Sequence, residues 1–232
     1  MNIVITGAGK GIGYSLVQKF LSKSQRNDCI FALSRSVDNL LSINTSGNVL
    51  IPIQCDITKQ NDIEHAISTI KRHCKSIDFL INNAGLLVNK PFVEILEDDI
   101  DRVFNTNFKA PFFLAQRLFP LLALSPRAHI VNISSMGGFQ GAAKFSGLSA
   151  YSSSKAALNC LTECLAEEFQ STSIKINALC IGAVQTEMLT KAFPNFKAPV
   201  SAVEMAKFIY HFTLENHLFM NGKVIPVALS TP

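Results

Sequence analysis

TGAGKGIG, Thr6 to Gly13, closes an apolar run that starts at Asn2 and puts four glycines into seven positions. Glycine is used where something must approach the backbone more closely than a side chain allows. A strand that runs into a glycine-rich turn at the start of a helix aims backbone N–H groups and the positive helix end at one point, which suits a pyrophosphate. The spacing is G-x-x-x-G-x-G through Gly7, Gly11 and Gly13, with Gly9 extra. It does not fit G-x-G-x-x-G, because Ile12 falls at the third position counted from Gly7. Lys10 is not followed by Ser or Thr, so it is not a phosphate-loop NTPase motif either. Read alone, the stretch leaves a tight strand-to-helix turn without a ligand as the alternative.

Outward from this turn the chain alternates regularly. Apolar, β-branched runs occur at residues 2–6, 29–34, 49–54, 77–82, 129–134, 174–180 and 223–228, and continuous hydrophobicity predicts burial on both faces. Helix-period segments lie between them at 11–24, 61–74, 98–122, 149–170 and 201–216. Strand and helix alternating in this way predict a single-domain, doubly wound parallel sheet of the Rossmann type with about seven strands and helices on both faces. There is no repeat, low-complexity tract or obvious linker, so residues 1–232 are expected to form one domain.

Composition narrows the function classes. The hydrophobic fraction is 48% and the charged fraction 16%, and no stretch approaches the roughly 18 uninterrupted apolar residues of a membrane span. PFFLAQRLFPLLAL from Pro111 is broken by Gln116 and Arg117 and reads as a buried helix. A net charge of +4 without a Lys/Arg run does not point to nucleic acid; a few cations around an anionic ligand account for it equally well. The N-terminus shows no basic region, apolar segment and cleavage site, which makes a cytoplasmic location the expectation. Six scattered cysteines (Cys29, Cys55, Cys74, Cys160, Cys164, Cys180) without a C-x-x-C pair read as reduced, buried thiols. Cys160 and Cys164 share a helix face and read as core packing, since two thiolates do not complete a metal site. No metal is expected.

Further along, NNAG (Asn82 to Gly85) closes the fourth strand, Asn107 lies in the next helix, NISS (Asn132 to Ser135) closes the fifth strand, and YSSSK (Tyr151 to Lys155) opens a helix. With T-G-x-x-x-G-x-G, N-N-A-G and Y-x-x-x-K in that order, the chain resembles the short-chain dehydrogenase/reductase family from Asn2 to about Val227. The resemblance implies Tyr151 as general acid/base, Ser135 rather than Ser134 as the donor to the oxyanion, Lys155 on the nicotinamide ribose, and Asn107 retaining a water that links Lys155 to solvent. The chemistry is sound on its own terms. A free phenol has a pKa of about 10 and is a poor general acid/base at neutral pH, but an ammonium four residues away on the same helix face favours phenolate. Outside this motif context, Tyr151, Lys155 and Asn107 read as ordinary helix residues. The histidines fall before a strand (His129) or on helix surfaces and loops (His65, His73, His211, His217), and the mechanism needs none of them.

The second strand ends in FALSRS. Ser34 stands where an NAD-binding protein usually carries a carboxylate, Arg35 follows, and Lys10 can reach the same point, which together predict NADP(H). By position in the family, Gly7, Gly9, Gly11, Ile12 and Gly13 line the pyrophosphate. Asp56 and Ile57 face the adenine, and Asn83, Ala84 and Gly85 pack along the adenosine ribose. Asp56 also suits a helix cap. NALCIGAVQT resembles the family's N-x-x-x-P-G-x-V-x-T with Ile181 in place of the proline, which puts Gly182, Val184 and Thr186 at the nicotinamide carboxamide.

Three features depart from the family pattern. From Ser135 to Tyr151 is 16 positions, longer than usual, so GFQGAAKFSGLSA carries an insertion beside the site. The segment after Thr186 is short and leaves an open, partly apolar pocket lined by Met188, Leu189 and Phe193. NGKVIPVALSTP lacks the family's usual Asp-Gly-Gly tail, which counts against the commonest tetramer contact; a dimer through the helices around 98–123 and 151–170 is the alternative assembly. The expectation is an NADP(H)-dependent carbonyl reductase or alcohol dehydrogenase, forming a homodimer or homotetramer. A 3-oxoacyl thioester or small ketone is the first choice of substrate and a sepiapterin-like pterin ketone the second. The rival from another class is a non-catalytic NADP(H)-binding sensor, which would have no need of a proton relay.

Overall fold

The structure is a computed structural model and describes residues 1–23, 28–45 and 47–229. In chain order the strands are β1 (Asn2–Thr6), β2 (Cys29–Ser34), β3 (Val49–Gln54), β4 (Phe79–Asn82), β5 (His129–Ser135), β6 (Lys175–Ile181), β7 (Val184–Gln185), β8 (Val200–Ser201) and β9 (Lys223–Val227). The helices are α1 (Gly11–Lys23), α2 (Asp38–Leu41), α3 (Gln60–His73), α4 (Glu97–Phe104), α5 (Ala110–Leu122), α6 (Ser149–Glu168), α7 (Glu187–Ala192) and α8 (Ala202–Glu215). The expected end of the first helix at Ser24 lies outside the described residues.

Among the described residues, seven strands form one parallel sheet in the order β3-β2-β1-β4-β5-β6-β9, and β7 pairs with β8 outside it. The order reverses between β1 and β4, and such a switch point opens a crevice at the carboxyl ends of the strands. Successive residues of the central strands enter opposite cores, as the two-residue period of a strand requires. Val4, Leu80 and Ile130 pack with α3, α5 and α6, whereas Ile3, Ile5, Phe79, Ile81 and Ile133 pack with α1 and α8. Each fully buried Ile, Leu or Phe contributes about 1.5–3 kcal/mol.

Burial on both faces fails at the two edges. β3 and β9 keep several exposed or half-buried residues, and each contains a proline, Pro52 and Pro226, which an edge position tolerates because its outer side needs no N–H donor. The single helix expected over 98–122 is interrupted as well: α4 passes through a π-helical turn, Asn105–Lys109, before α5 begins. Cys160 and Cys164 are exposed on α6, so they do not pack in the core, while Cys55 and Cys180 are buried. His129 opens the fifth strand, where the run over 129–134 begins, and is fully buried. No helix among the described residues is long and apolar enough to cross a membrane.

Candidate active site

The carboxyl ends of β1, β4 and β5 meet the amino-terminal half of α6 at the switch point. The glycine turn sits there because β1 and β4 are stitched together by side chains. Asn83 Nδ2 donates to Thr6 O at 2.9 Å and Gly7 O at 3.3 Å, and Thr6 Oγ1 accepts from the N–H groups of Asn83 and Ala84 at 3.0 Å each. A Cβ on Gly7 would stand 2.8 Å from Ala84 Cα, one on Gly9 2.4 Å from Ser34 Oγ, and one on Gly13 2.3 Å from Gly7 O. The atoms that exclude these three Cβ atoms therefore belong to the protein. Gly11 differs, with φ +55° and only Thr186 Cγ2 at 3.5 Å.

Lys155 and Tyr151 lie one turn apart on α6, as their spacing requires. Lys155 is buried, donates from Nζ to Ile133 O at 2.8 Å, and places that nitrogen 5.9 Å from the centre of the Tyr151 ring. Burial pushes its pKa down to about 8. The phenol of Tyr151 is pushed up by burial, and its hydrogen bond with the Ser135 hydroxyl pulls the other way. This corrects the expectation of a lowered phenol. The ammonium is bound to Ile133 O below the ring, and the loss of hydration decides the direction. Ser134 is buried and donates to Lys155 O at 3.2 Å, the structural role expected of it.

Asn107 is fully buried in the π-helical turn, a distortion that recurs at functional sites. Its Oδ1 accepts from Leu86 N at 2.8 Å, and its Nδ2 donates to Leu86 O and Ser154 Oγ at 2.9 Å each. The side chain thus ties the loop after β4 to α6. Gly85 faces the same point: a Cβ there would lie 3.5 Å from Asn107 Oδ1, 3.6 Å from Lys155 Nζ and 3.9 Å from Met188 Cε.

The other expected residues divide by place. Burial opposes ionisation of Asp56, but its carboxyl is lowered because Oδ1 accepts from Thr58 Oγ1 at 2.7 Å and Thr58 N at 3.0 Å, with a smaller pull from the exposed Arg35. Lys10 does not reach toward Ser34 and Arg35 but pairs with Glu187 at 2.8 Å. Ile57 and Val184 belong to the buried cores, and Gly182 N donates to Val227 O at 2.9 Å. Thr186 caps α7 through Leu189 N at 3.3 Å, with Leu189 and Phe193 half-buried beside it. Glu187 and Asn159 went unmarked in the sequence, and Cys180, which pairs with Asn159, was read only as a buried thiol; the one signal for Asn159 is that it follows Lys155 by four and so shares its helix face.

The donor set fits a dinucleotide. α1 carries no acidic residue in its first turn, Gly11 leaves the turn accessible, and Gly85, Lys155 and Met188 face one cleft. The family model for short chain dehydrogenases matches residues 1–196. The chain belongs to the short-chain dehydrogenase/reductase family. It is 30% identical over 197 residues to a chloroplastic tropinone reductase homolog of Arabidopsis thaliana, covering 84% of this chain and 60% of that protein. It is 32% identical over 193 residues to a hydroxynaphthalene reductase-like protein of Metarhizium brunneum, covering 80% and 68%. A solved mutant of 4-hydroxyisoleucine dehydrogenase, complexed with NADH and succinate, superposes with a TM-score of 0.86 at 26% identity over 98% of this chain and 97% of that one. These matches support an oxidoreductase of a family that acts on CH–OH/C=O groups, and the NADH is that of the solved neighbour.

Proposed function

We propose that the protein is a single-domain NADP(H)-dependent carbonyl reductase or alcohol dehydrogenase in which Tyr151 is the general acid and base. The observation that carries the reading is the convergence of Ser135, Tyr151 and Lys155: a hydroxyl bonded to a phenol, with a buried ammonium beneath the ring. The nicotinamide supplies or accepts the hydride when bound. In the reducing direction Tyr151 Oη gives its proton to the carbonyl oxygen while Ser135 donates a hydrogen bond to the same oxygen. Lys155 stabilises the phenolate left behind and would hold the nicotinamide ribose. Asn107 fixes the loop above Lys155 and, in this reading, keeps the water that returns the proton. Met188, Leu189 and Phe193 line the substrate side, which suits a 3-oxoacyl thioester or small ketone.

The preference for NADP(H) rests on Arg35, exposed at the end of β2, and on the Ser34 hydroxyl where a carboxylate would repel a 2′-phosphate. Arg35→Ala is expected to raise the KM for NADPH about tenfold or more and to leave that for NADH within about twofold, as loss of a phosphate contact does. Equal effects on both would overturn the assignment. Of the two assemblies, homodimer or homotetramer, a dimer through α4, α5 and α6 accords with Ile100, Phe113, Cys160 and Cys164 lying exposed on those helices, and free thiols suit the reducing cytoplasm.

The deciding experiment follows nicotinamide absorbance with NADPH, and separately NADH, against ketones, aldehydes and acetoacetyl thioesters. Tyr151→Phe should lower kcat by about 10² to 10⁴ while NADPH still binds. Tight NADPH binding with no turnover on any carbonyl would favour a sensor instead.

A further inference from the structure

Beside Ser135, Tyr151 and Lys155 lie two buried polar groups that the reaction does not use. Asn159 is one helical turn beyond Lys155 and 7% exposed, and Cys180 on β6 is fully buried. Asn159 Nδ2 donates to Gly138 O at 3.0 Å, and the Cys180 thiol donates to Asn159 Oδ1 at 3.5 Å. Burial raises the Cys180 thiol, which keeps it an S–H donor at neutral pH. A buried amide needs both of its ends matched, and these two contacts do so.

Gly138 ends the short 3₁₀ turn Met136–Gly138 that directly follows Ser135. The turn lies so close to α6 that a Cβ on Gly138 would stand 2.6 Å from Lys155 C and 2.7 Å from Ala156 N. At its other end Ser135 Oγ accepts from Gly137 N at 3.1 Å. The hydroxyl that meets Tyr151 is therefore also the cap of this turn, and a shift of the turn moves the hydroxyl with it.

We propose that Asn159 and Cys180 are positioning residues: their hydrogen-bonded pair holds the Met136–Gly138 turn against α6 and so sets the Ser135 hydroxyl against the Tyr151 phenol. The effect on turnover rests on the reductase reading, whereas the effect on the phenol does not. Protein labelled with ¹³C at tyrosine Cζ gives signals from three tyrosines, Tyr14, Tyr151 and Tyr210, and Tyr151→Phe identifies the one that matters. That signal is titrated with pH in wild type, Asn159→Leu, Cys180→Ala and Cys180→Ser, and kcat and KM are measured on the same samples.

The hydrogen bond from Ser135 stabilises the phenolate, so its loss in Asn159→Leu and Cys180→Ala should raise the Tyr151 pKa by about half a unit or more. In the same variants kcat should fall about tenfold with the KM for NADPH within about twofold, and Cys180→Ser should restore both readouts. An unmoved Tyr151 titration in folded Cys180→Ala, or a loss of kcat that Cys180→Ser does not rescue, overturns the proposal. If Asn159→Leu does not fold, the two Cys180 variants decide. A wild type that binds NADPH but reduces no carbonyl ends the reductase reading, and the titration alone then decides this one.

Discussion

A Cβ on Gly13 would stand 2.3 Å from Gly7 O and 2.5 Å from Asn83 Nδ2, whereas one on Gly11 would meet nothing closer than Thr186 Cγ2 at 3.5 Å. The two glycines therefore serve different ends within one turn. Gly13 lets α1 close onto β1 and β4, and Gly11, at φ +55°, shapes the part of the turn left open to a ligand. Gly13→Ala is expected to destabilise the protein by about 2–3 kcal/mol, the usual size of an overpacking strain. Gly11→Ala should cost about 1–2 kcal/mol from its left-handed backbone but raise the KM for NADPH more. Urea unfolding and cofactor kinetics on both variants separate the two roles; equal losses of stability with no difference in KM would contradict the division. The motif itself was legible in the sequence, and so was the shared helix face of Tyr151 and Lys155, which their spacing predicts; only the family resemblance set the two apart from ordinary helix residues. What crowds Gly13 was not legible, since the Asn83 amide is 70 positions away and arrives only through the pairing of β1 with β4. The Tyr151 phenol was misjudged for a related reason: spacing shows a neighbouring ammonium but not the depth of burial that outweighs it.

Among the α-helices of the described residues, α7 is the least anchored: it alone has no buried residue. It is joined to the glycine turn by the Lys10–Glu187 pair, whose side chains are 56% and 63% exposed. Solvent screens a pair this exposed and leaves it little effect on folding, so its effect belongs to cofactor affinity rather than stability. Glu187→Gln removes a carboxylate from the lip of the crevice and frees Lys10 for the anionic cofactor. The KM for NADPH is expected to fall by about two- to fivefold at low salt, with the difference fading toward 1 M salt, where screening acts within about 3 Å. A rise in KM would show instead that the pair clamps α7 over the cofactor. The strands were readable from their continuous apolar runs, and α1, α3, α6 and α8 from their period. The break in the long helix at Asn105–Lys109 was not, because the one-residue surplus of a π-helical turn leaves the apolar pattern on either side intact. The short β7 and β8 carry too few residues to show any period.

At the scale of the whole molecule the site occupies one end of the sheet, and a second polar cluster closes the other. His129 opens β5 and Ser135 ends it, which separates the two by about 20 Å at 3.3 Å per residue. His129 Nδ1 donates to Thr213 O of α8 at 3.1 Å, and Nε2 accepts from Asn177 Nδ2 of β6 at 3.0 Å. Its ring also faces Phe212 and the half-buried His217, with centroids 5.6 Å and 5.7 Å away. The sequence places it at the start of an apolar run, but nothing local foretells that α8 will cover it. The parallel order of the sheet could be read from the alternation of strand and helix, but this burial could not. Its consequence is a stability that depends on pH. Burial depresses His129 to about 4 in the folded state, while an unfolded histidine titrates near 6.5. Between those values the unfolded chain binds the proton and the folded chain does not, so stability is full above about pH 6.5 and falls as pH drops. The loss from this group approaches 1.4 kcal/mol per pH unit and about 3 kcal/mol by pH 4. His217, also lowered chiefly by burial, adds a smaller loss in the same direction. Urea unfolding at pH 7, 6, 5 and 4.5 should show a shallower decline in His129→Gln, which offers an amide to Thr213 and Asn177 but takes up no proton. The same slope in both proteins would place the acid sensitivity in other groups.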